Sequence, residues 1–252
     1  MTYGRMATKK KTSRTSGKRK ARSGLSQAAG APFRVALKWL GRGALVFVAV
    51  LLALIVTFKF VNPPTTWTMW SERQRLGAVD QQWVALEEIS PVLARSVVAA
   101  EDANFCNHWG FDMRAIREAL DEGGNRGAST ITQQTVKNVF LWQGRSWPRK
   151  AMEAVLTPFV EAIWGKRRIL EIYLNVAEFD EGAFGVDAAA FRYFRTSPDK
   201  LSPYQSALIA AVLPDPKDRS AAKPTKFLAR RAQSIMDGAA TIKNDGRASC
   251  FE

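Results

Sequence analysis

Three clusters of residues interrupt the amphipathic patterning of this sequence and carry the side-chain types that chemistry uses. The first, Ala100-Glu101-Asp102-Ala103-Asn104-Phe105-Cys106-Asn107-His108-Trp109-Gly110, closes the apolar run that starts at Ser96. Two adjacent carboxylates there bring at least one acid to a buried helix face, where desolvation raises its pKa and suits it to accept a proton. A solvated helix end is the ordinary alternative. The second, Gly127-Ala-Ser-Thr-Ile-Thr-Gln-Gln-Thr-Val-Lys-Asn138, places Thr130, Gln134, Lys137 and Asn138 on one helical stripe, with Ile131 and Val139 facing elsewhere. Hydroxyls, amides and an ammonium without an acid suit a phosphate or sugar hydroxyls, and the helix start adds its positive dipole end. An exposed polar face normally mixes Glu with Lys, and this one has no Glu. The third is Ser146-Trp-Pro-Arg149-Lys150-Ala-Met-Glu153. Arg149 and Lys150 lie four and three residues before Glu153, so all three share a helix face. As a surface ion pair this is worth roughly 0.3–0.5 kcal/mol; as a site it is a carboxylate held among cations beside an anionic substrate.

Taken together, two acidic positions far apart in sequence, a hydroxyl and amide stripe and clustered cations suggest sugar chemistry on a phosphorylated donor. A pair of carboxylates alone fits a glycoside hydrolase equally well. Cations at the leaving group favour a transferase that expels pyrophosphate.

The elements that must position these groups read as helices. Ser90-Pro91 is an N-cap and first-turn pair opening a helix through Val92, Leu93, Val97 and Ala100. Met113, Ile116 and Leu120 have helical spacing, and further helical runs cover 129–141, 147–164, 167–175 and 186–194. Ser202-Pro203 opens another through Leu213, and Pro224 precedes a last one through Leu228, Ile235 and Met236. Pro158 is expected to kink or end its helix. No sustained period-2 alternation bounded by hairpin signals is found, so the class is all-α, with a large sheet excluded.

Charge and hydropathy divide the 252 residues sharply. Of 37 Lys and Arg, 13 precede the first acid, Glu72; 37 less 13 leaves 24 basic against 23 acidic groups beyond it, a net of +1 within the overall +14. A nearly neutral body argues against nucleic-acid binding. Residues 1–30 hold too little apolar bulk to order themselves. Gly43–Phe58 has no charge and, extended to Val61 with Lys59 snorkelling, reaches the short limit for a bilayer span. The basic residues before it keep residues 1–42 in the cytoplasm and send 62–252 across. No small-x-small cleavage site follows the apolar run, which makes it a retained anchor rather than a signal peptide. Three parts result: a basic tail (1–42), a transmembrane anchor (43–61) and one globular domain (62–252). Outside the membrane no nucleotide sugar is available, so a synthetic reaction there needs a donor delivered through the bilayer.

In order and spacing the clusters resemble the motifs of the peptidoglycan glycosyltransferases, found in bifunctional penicillin-binding proteins and as monofunctional transglycosylases. Glu101-Asp102-x-x-Phe105-x-x-His108-x-Gly110 is similar to the first motif, Gly127-x-Ser129-Thr130-Ile131-Thr132-Gln133-Gln134-x-x-Lys137-Asn138 to the second, and Arg149-Lys150-x-x-Glu153 to the third. Lys166-x-Arg168-Ile169-Leu170-Glu171-x-Tyr173-Leu174-Asn175 resembles the fourth, and Gly185-Val186-x-Ala188-Ala189-x-x-x-Tyr193-Phe194 the last. The resemblance spans about residues 65–220. Cys106 and Arg195 depart from residues usual in the family, but neither has a chemical role in this reading.

This resemblance implies a lysozyme-like, mainly helical fold that polymerises lipid II into β-1,4-linked glycan strands, with inversion at the donor anomeric carbon and release of undecaprenyl pyrophosphate. It makes Glu101 the general base and Glu153 the second carboxylate, near the donor pyrophosphate, where a divalent cation (Mg2+ or Mn2+) or basic residues serve; no organic cofactor is implied. Lys137, Arg149 and Lys150 would neutralise pyrophosphate charge. Ser129, Gln134 and Asn138 would orient donor groups, and Asp102, Phe105, His108 and Thr130 join the substrate-binding set. The implied partners are lipid II, the growing strand, the membrane and other cell-wall synthesis or division proteins, with no nucleic acid. The implied place is the inner membrane, single-pass, with the catalytic domain in the periplasm. A muramidase-type lytic enzyme on the same kind of fold is the alternative. Ser197-Pro-Asp-Lys200 has the SxxK form of an acylating serine, but no KTG follows and it is taken as chance.

A few residues remain. One His and no CxxC exclude a structural zinc. His108 is expected to hold its loop by hydrogen bonding rather than to move protons. Cys106 and Cys250 meet an oxidising compartment, yet pairing them would require the distant end of the sequence beside the first motif, and they are expected to stay unpaired. Trp67, Trp70, Trp142 and Trp147, with Phe140 and Leu141, have the composition of a membrane-interface patch, with ordinary core as the alternative.

Overall fold

The computed structural model describes residues 1, 4, 30–123, 127–144 and 146–252. It divides into two units, residues 1–52 and 53–252. The expected disorder of the basic tail falls almost wholly outside the described residues.

Helix α1 (Gly30–Phe60) contains Val35–Phe60, a stretch long and apolar enough to cross a membrane. Within the first unit most of its described apolar side chains are exposed: Leu45 is 70% and Val46 62% exposed. Leaving such side chains uncovered in water is unfavourable, which a lipid environment removes. The last turns of the same helix, expected as anchor, are built into the second unit. Ile55 is fully buried and its carbonyl accepts from Trp164 Nε1 at 2.6 Å. Arg168 donates to Phe58 O, and Phe58 stacks on Phe140 at 6.0 Å between ring centroids.

The second unit continues with α2 (Trp67–Leu76), α3 (Pro91–Glu101), α4 (Met113–Asp121), α5 (Ile131–Phe140), α6 (Trp147–Val176), α7 (Gly185–Phe194), α8 (Pro203–Val212) and α9 (Lys226–Asn244). The expected helical runs are all present among the described residues. Their starts follow the expected chemistry at Ser202, which caps α8 by accepting from Gln205 N. Ser90 precedes Pro91 as expected, but its side chain makes no capping bond. Helix α2 was not foreseen; Thr66 caps it by accepting from Met69 N.

Pro158 does not break α6. The interruption comes seven residues later at Gly165, with φ 74° and ψ 163°. Proline's fixed φ is compatible with a helix, whereas a positive φ ends helical geometry and is cheap only for glycine.

The class is all-α, with one small sheet among the described residues, of order β1-β3-β2. β1 (Asp80–Gln81) runs parallel to β3 (Ala183–Phe184), with Asp80 opposite Ala183. β2 (Glu178–Asp180) is antiparallel to β3 with an irregularity between Glu178 and Asp180. The core centres on the second half of α6, where Ile169, Leu170, Ile172 and Leu174 are fully buried against α5 residues such as Ile131 and Val136. Helices α3, α8 and α9 pack on one another beside it.

Candidate active site

Glu101 is the last residue of α3, a helix held by the buried Leu93, Val97 and Val98. Its Oε2 accepts from Gln134 Nε2 at 2.9 Å. The orientation of that amide is set from behind, because Gln134 Oε1 accepts from the Tyr173 hydroxyl at 3.1 Å. Burial pushes the Glu101 carboxyl above the ordinary 4.5, and the Asp102 charge adds to it; the Gln134 bond and the charges of Arg231 and Lys137 oppose the shift. A raised but ionisable carboxylate is what a general base near neutral pH requires. Tyr173, fully enclosed, has its hydroxyl pushed well above its usual range by burial and stays a neutral donor.

Four residues expected to bind substrate hold the frame around Glu101, and two of them, Asp102 and Thr130, also line a cavity beside it. Asp102 accepts from Ile131 N at 3.0 Å, tying the end of α3 to the start of α5. His108 Nε2 lies 2.9 Å from Asp102 Oδ1, so the imidazole holds its loop as expected; the carboxylate facing Nε2 assigns the proton there. Thr130 caps α5 by accepting from Gln133 N at 3.2 Å and donates its hydroxyl to Gly110 O at 2.7 Å, so that hydroxyl is committed to protein. Phe105 is 1% exposed and packs against Phe251, so it lies in core rather than on a binding surface. Gly110 has φ +82°, and a Cβ there would meet Thr157 Cγ2 at 2.7 Å, which accounts for glycine at that motif position.

The third cluster is not a surface ion pair. Glu153 is 3% exposed and Arg149 8%. Glu153 Oε2 accepts from Arg149 Nη1 at 2.9 Å and Oε1 from Lys150 Nζ. Burial of Glu153 strengthens the Coulombic attraction to both cations while imposing a desolvation cost, so the carboxylate needs both partners. Lys150, whose side chain is 41% exposed, also donates to Ser129 Oγ at 3.2 Å.

Ser129 joins the two ends of the site. Its carbonyl accepts a 3.5 Å contact from the same Gln134 Nε2 that bonds Glu101, while its hydroxyl meets Lys150. A continuous polar chain therefore runs from Glu101 through Gln134, Ser129 and Lys150 to Glu153 and Arg149. Lys137 feels both acids: burial lowers its pKa most, the charge of Glu153 and then that of Glu101 raise it, and Arg149 and Lys150 lower it. The two acids, 52 positions apart in sequence, thus share one neighbourhood. Cavities flank this chain. One of about 290 Å³ is lined by Glu101, Ser129 and Asn104 among others, and one of about 390 Å³ by Gln134, Lys137, Asn138 and Tyr173. A third, of about 280 Å³, is lined by Ser146, Trp147, Arg149 and Lys150. Asn138 is 9% exposed at the wall of the second.

The donor set does not fit a divalent cation held by the protein. Both oxygens of Glu153 are engaged by cations, and no group of three His, Cys, Asp or Glu side chains able to hold a metal occurs among the described residues. Positive charge at this end is supplied by Arg149, Lys150 and Lys137.

Comparison with known proteins decides between the chemistries open to such a site. The family described as Transglycosylase matches residues 68–240. The chain belongs to the transglycosylase family. A Jannaschia sp. (strain CCS1) relative named biosynthetic peptidoglycan transglycosylase is 57% identical over 214 residues, covering 85% of this chain and 90% of its own length. Relatives of the same name from Caulobacter vibrioides and Pectobacterium atrosepticum are 44% and 45% identical, covering 82% and 79% of this chain and 92% and 88% of their own lengths. As a transglycosylase the chain is a glycosyltransferase, and none of these comparisons supports the lytic alternative.

Sequence reasoning missed Tyr173 and Arg231. Tyr173 sits in the fourth motif, which was a signal, but only the fold aims its hydroxyl at Gln134. Arg231, on α9, lies beyond the span of the five motifs and carries no pattern of its own. Another polar residue of the fourth motif, Asn175, is architectural: it accepts from Val84 N at 2.8 Å and donates to Val84 O at 2.9 Å.

The structure corrects two further expectations. Cys106 and Cys250 form a disulfide, with Cα atoms 5.6 Å apart across a sequence separation of 144. The return of α9 along α3, which no local pattern encodes, brings them together. Leu141 is 1% exposed and belongs to the core, and Phe140 packs on Phe58 and Trp164, whereas Trp67, Trp70, Trp142 and Trp147 are exposed.

Proposed function

We propose that this protein is a membrane-anchored peptidoglycan glycosyltransferase of cell-wall synthesis that polymerises lipid II into β-1,4-linked glycan strands. The observation that carries this reading is the polar chain joining a proton-accepting Glu101 to the cation-wrapped Glu153. Glu101 takes the proton from the 4-hydroxyl of the acceptor sugar as that oxygen bonds to the donor anomeric carbon. The bond from that carbon to the pyrophosphate oxygen breaks on the opposite face, giving inversion, and its electron pair leaves with undecaprenyl pyrophosphate. Arg149, Lys150 and Lys137 stabilise the charge that grows there. Arg149 Nε, buried and without a partner among the described residues, is a donor open to such an anion. Glu153 orients Arg149 and Lys150 rather than reacting. Ser129, Gln134 and Asn138 line the walls where donor groups lie, while Asp102, Phe105, His108 and Thr130 hold them in place.

Helix α1 is the single-pass anchor, placed in the inner membrane with the basic tail in the cytoplasm and the catalytic domain in the periplasm, as the distribution of positive charge favours. The exposed Trp67, Trp70, Trp142 and Trp147 suit contact with the lipid surface where the donor resides. The test supplies full-length protein with lipid II. Glycan polymer that lysozyme digests is the expected product; release of sugars from finished peptidoglycan with no polymer would overturn the assignment.

A further inference from the structure

The segment after α9 does more than end the fold. Residues 245–251 form a turn closed by its own hydrogen bonds. Asp245 accepts from Arg247 N at 3.2 Å and from Arg247 Nε at 2.8 Å, Gly246 has φ 78°, and Phe251 N donates to Ala248 O at 3.0 Å. Most of its outward contacts converge on the surroundings of Glu101. Arg247 Nη1 donates to Ala103 O at 3.0 Å, and Cys250 is bonded to Cys106. The Phe251 ring, 2% exposed, lies 6.4 Å from that of Phe105. Glu252 pairs with Arg95 on α3, and Arg167 on α6 clasps the Phe251 carbonyl at 2.8 Å. Residues 103, 105 and 106 belong to the loop that leaves Glu101, and Arg95 to the helix that enters it. From its other side the same loop is held by the Asp102 bond to Ile131 N and the Thr130 bond to Gly110 O.

We propose that Asp245–Phe251 is a strap that positions the proton-accepting carboxylate of Glu101, with the Cys106–Cys250 bond as its covalent rivet and Arg247 as its second anchor. The loop is gripped between α5 and this strap, so Glu101 is placed from both sides rather than hanging from the end of α3. A base must sit within hydrogen-bond reach of the hydroxyl it deprotonates, and a displacement of about 1 Å can cost up to about 100-fold in rate. The strap acts through position and touches no substrate.

The experiment compares wild type, the double variant Cys106→Ser with Cys250→Ser, and Arg247→Ala, which keeps the disulfide. Its kinetic arm rests on the glycosyltransferase reading; its second arm, hydrogen exchange of the 102–108 amides, does not. In the double variant kcat for lipid II falls about 10-fold or more, while KM moves less than about 2-fold, as expected when a transition-state contact is lost. Exchange at 102–108 accelerates. The acid limb of the kcat profile moves to lower pH, because water admitted beside Glu101 relieves the burial that raises its carboxyl, with Asp102, Lys137 and Arg231 as the charged groups that still face it. Arg247→Ala shows the same changes at smaller size, and decides the matter should the double variant fail to fold. If both exchange and the pH profile stay as in wild type while only the melting temperature falls, the segment merely stabilises the chain and the proposal is overturned. Wild-type protein that makes no polymer would sink the glycosyltransferase reading, and amide exchange would still judge the strap.

Discussion

Glu101 and Glu153 are the same residue type at the two ends of one polar chain, and their surroundings make them opposites. Glu101 sits at a helix end in contact with one neutral amide, with burial raising its carboxyl. Glu153 is mid-helix, more deeply enclosed, and wrapped by a guanidinium and an ammonium. A carboxylate short of compensation is reactive toward protons, whereas one saturated with cations acts as an anchor for positive charge. Environment, not residue identity, separates the two acids, and in the proposed mechanism it makes Glu101 the base and Glu153 the counter-ion.

The largest expected effect tests the base. Glu101→Gln keeps the size of the side chain and one acceptor oxygen for Gln134 but removes its basicity, so kcat for polymerisation falls about 10³-fold, with far-UV circular dichroism unchanged. Retention of wild-type rate would erase the contrast between the two acids. Glu153→Gln comes next. It leaves Arg149 enclosed without its counter-charge, a change costing about 1–3 kcal/mol once the solvent access of Lys150 is allowed for, and turnover falls about 10–100-fold as the cations lose their orientation. A drop in melting temperature accompanies the kinetic loss; a purely kinetic or purely thermal effect would separate two roles combined here. The smallest effect is the sharpest. Gln134→Ala removes a hydrogen bond that favours ionised Glu101, so the carboxyl rises further and the acid limb of the kcat profile moves to higher pH. Since a base works only when deprotonated, activity at mildly acidic pH falls more than at neutral pH. An unchanged limb would mean Gln134 positions Glu101 without tuning it.

Much of this site was legible because its parts are local. The apolar spacing of 91–101 and the hydroxyl and amide run of 127–138 specify helices and put the right types near their ends, and Arg149, Lys150 and Glu153 meet through helix geometry alone. The fate of individual side chains was not legible. Thr130 and Asp102, read as ligands and lining the cavity beside Glu101, also serve as cap and clamp, because the N–H groups at the start of α5 need acceptors. Phe105, read by motif as a binding residue, is core. Strands of two or three residues are too short to display alternation, so the sheet joining 80–81 to 183–184 left no pattern.

By itself the sequence determined the helical class, the apolar segment long enough to span a bilayer, and which polar residues travel together, because each depends on neighbours within a few turns of backbone. Only tertiary packing decided that Glu101 and Glu153 share one neighbourhood, that Tyr173 and Arg231 attend Glu101, and that Cys250 reaches Cys106. Those contacts join positions tens to more than a hundred residues apart, and such loops close only through the burial of the core that connects them.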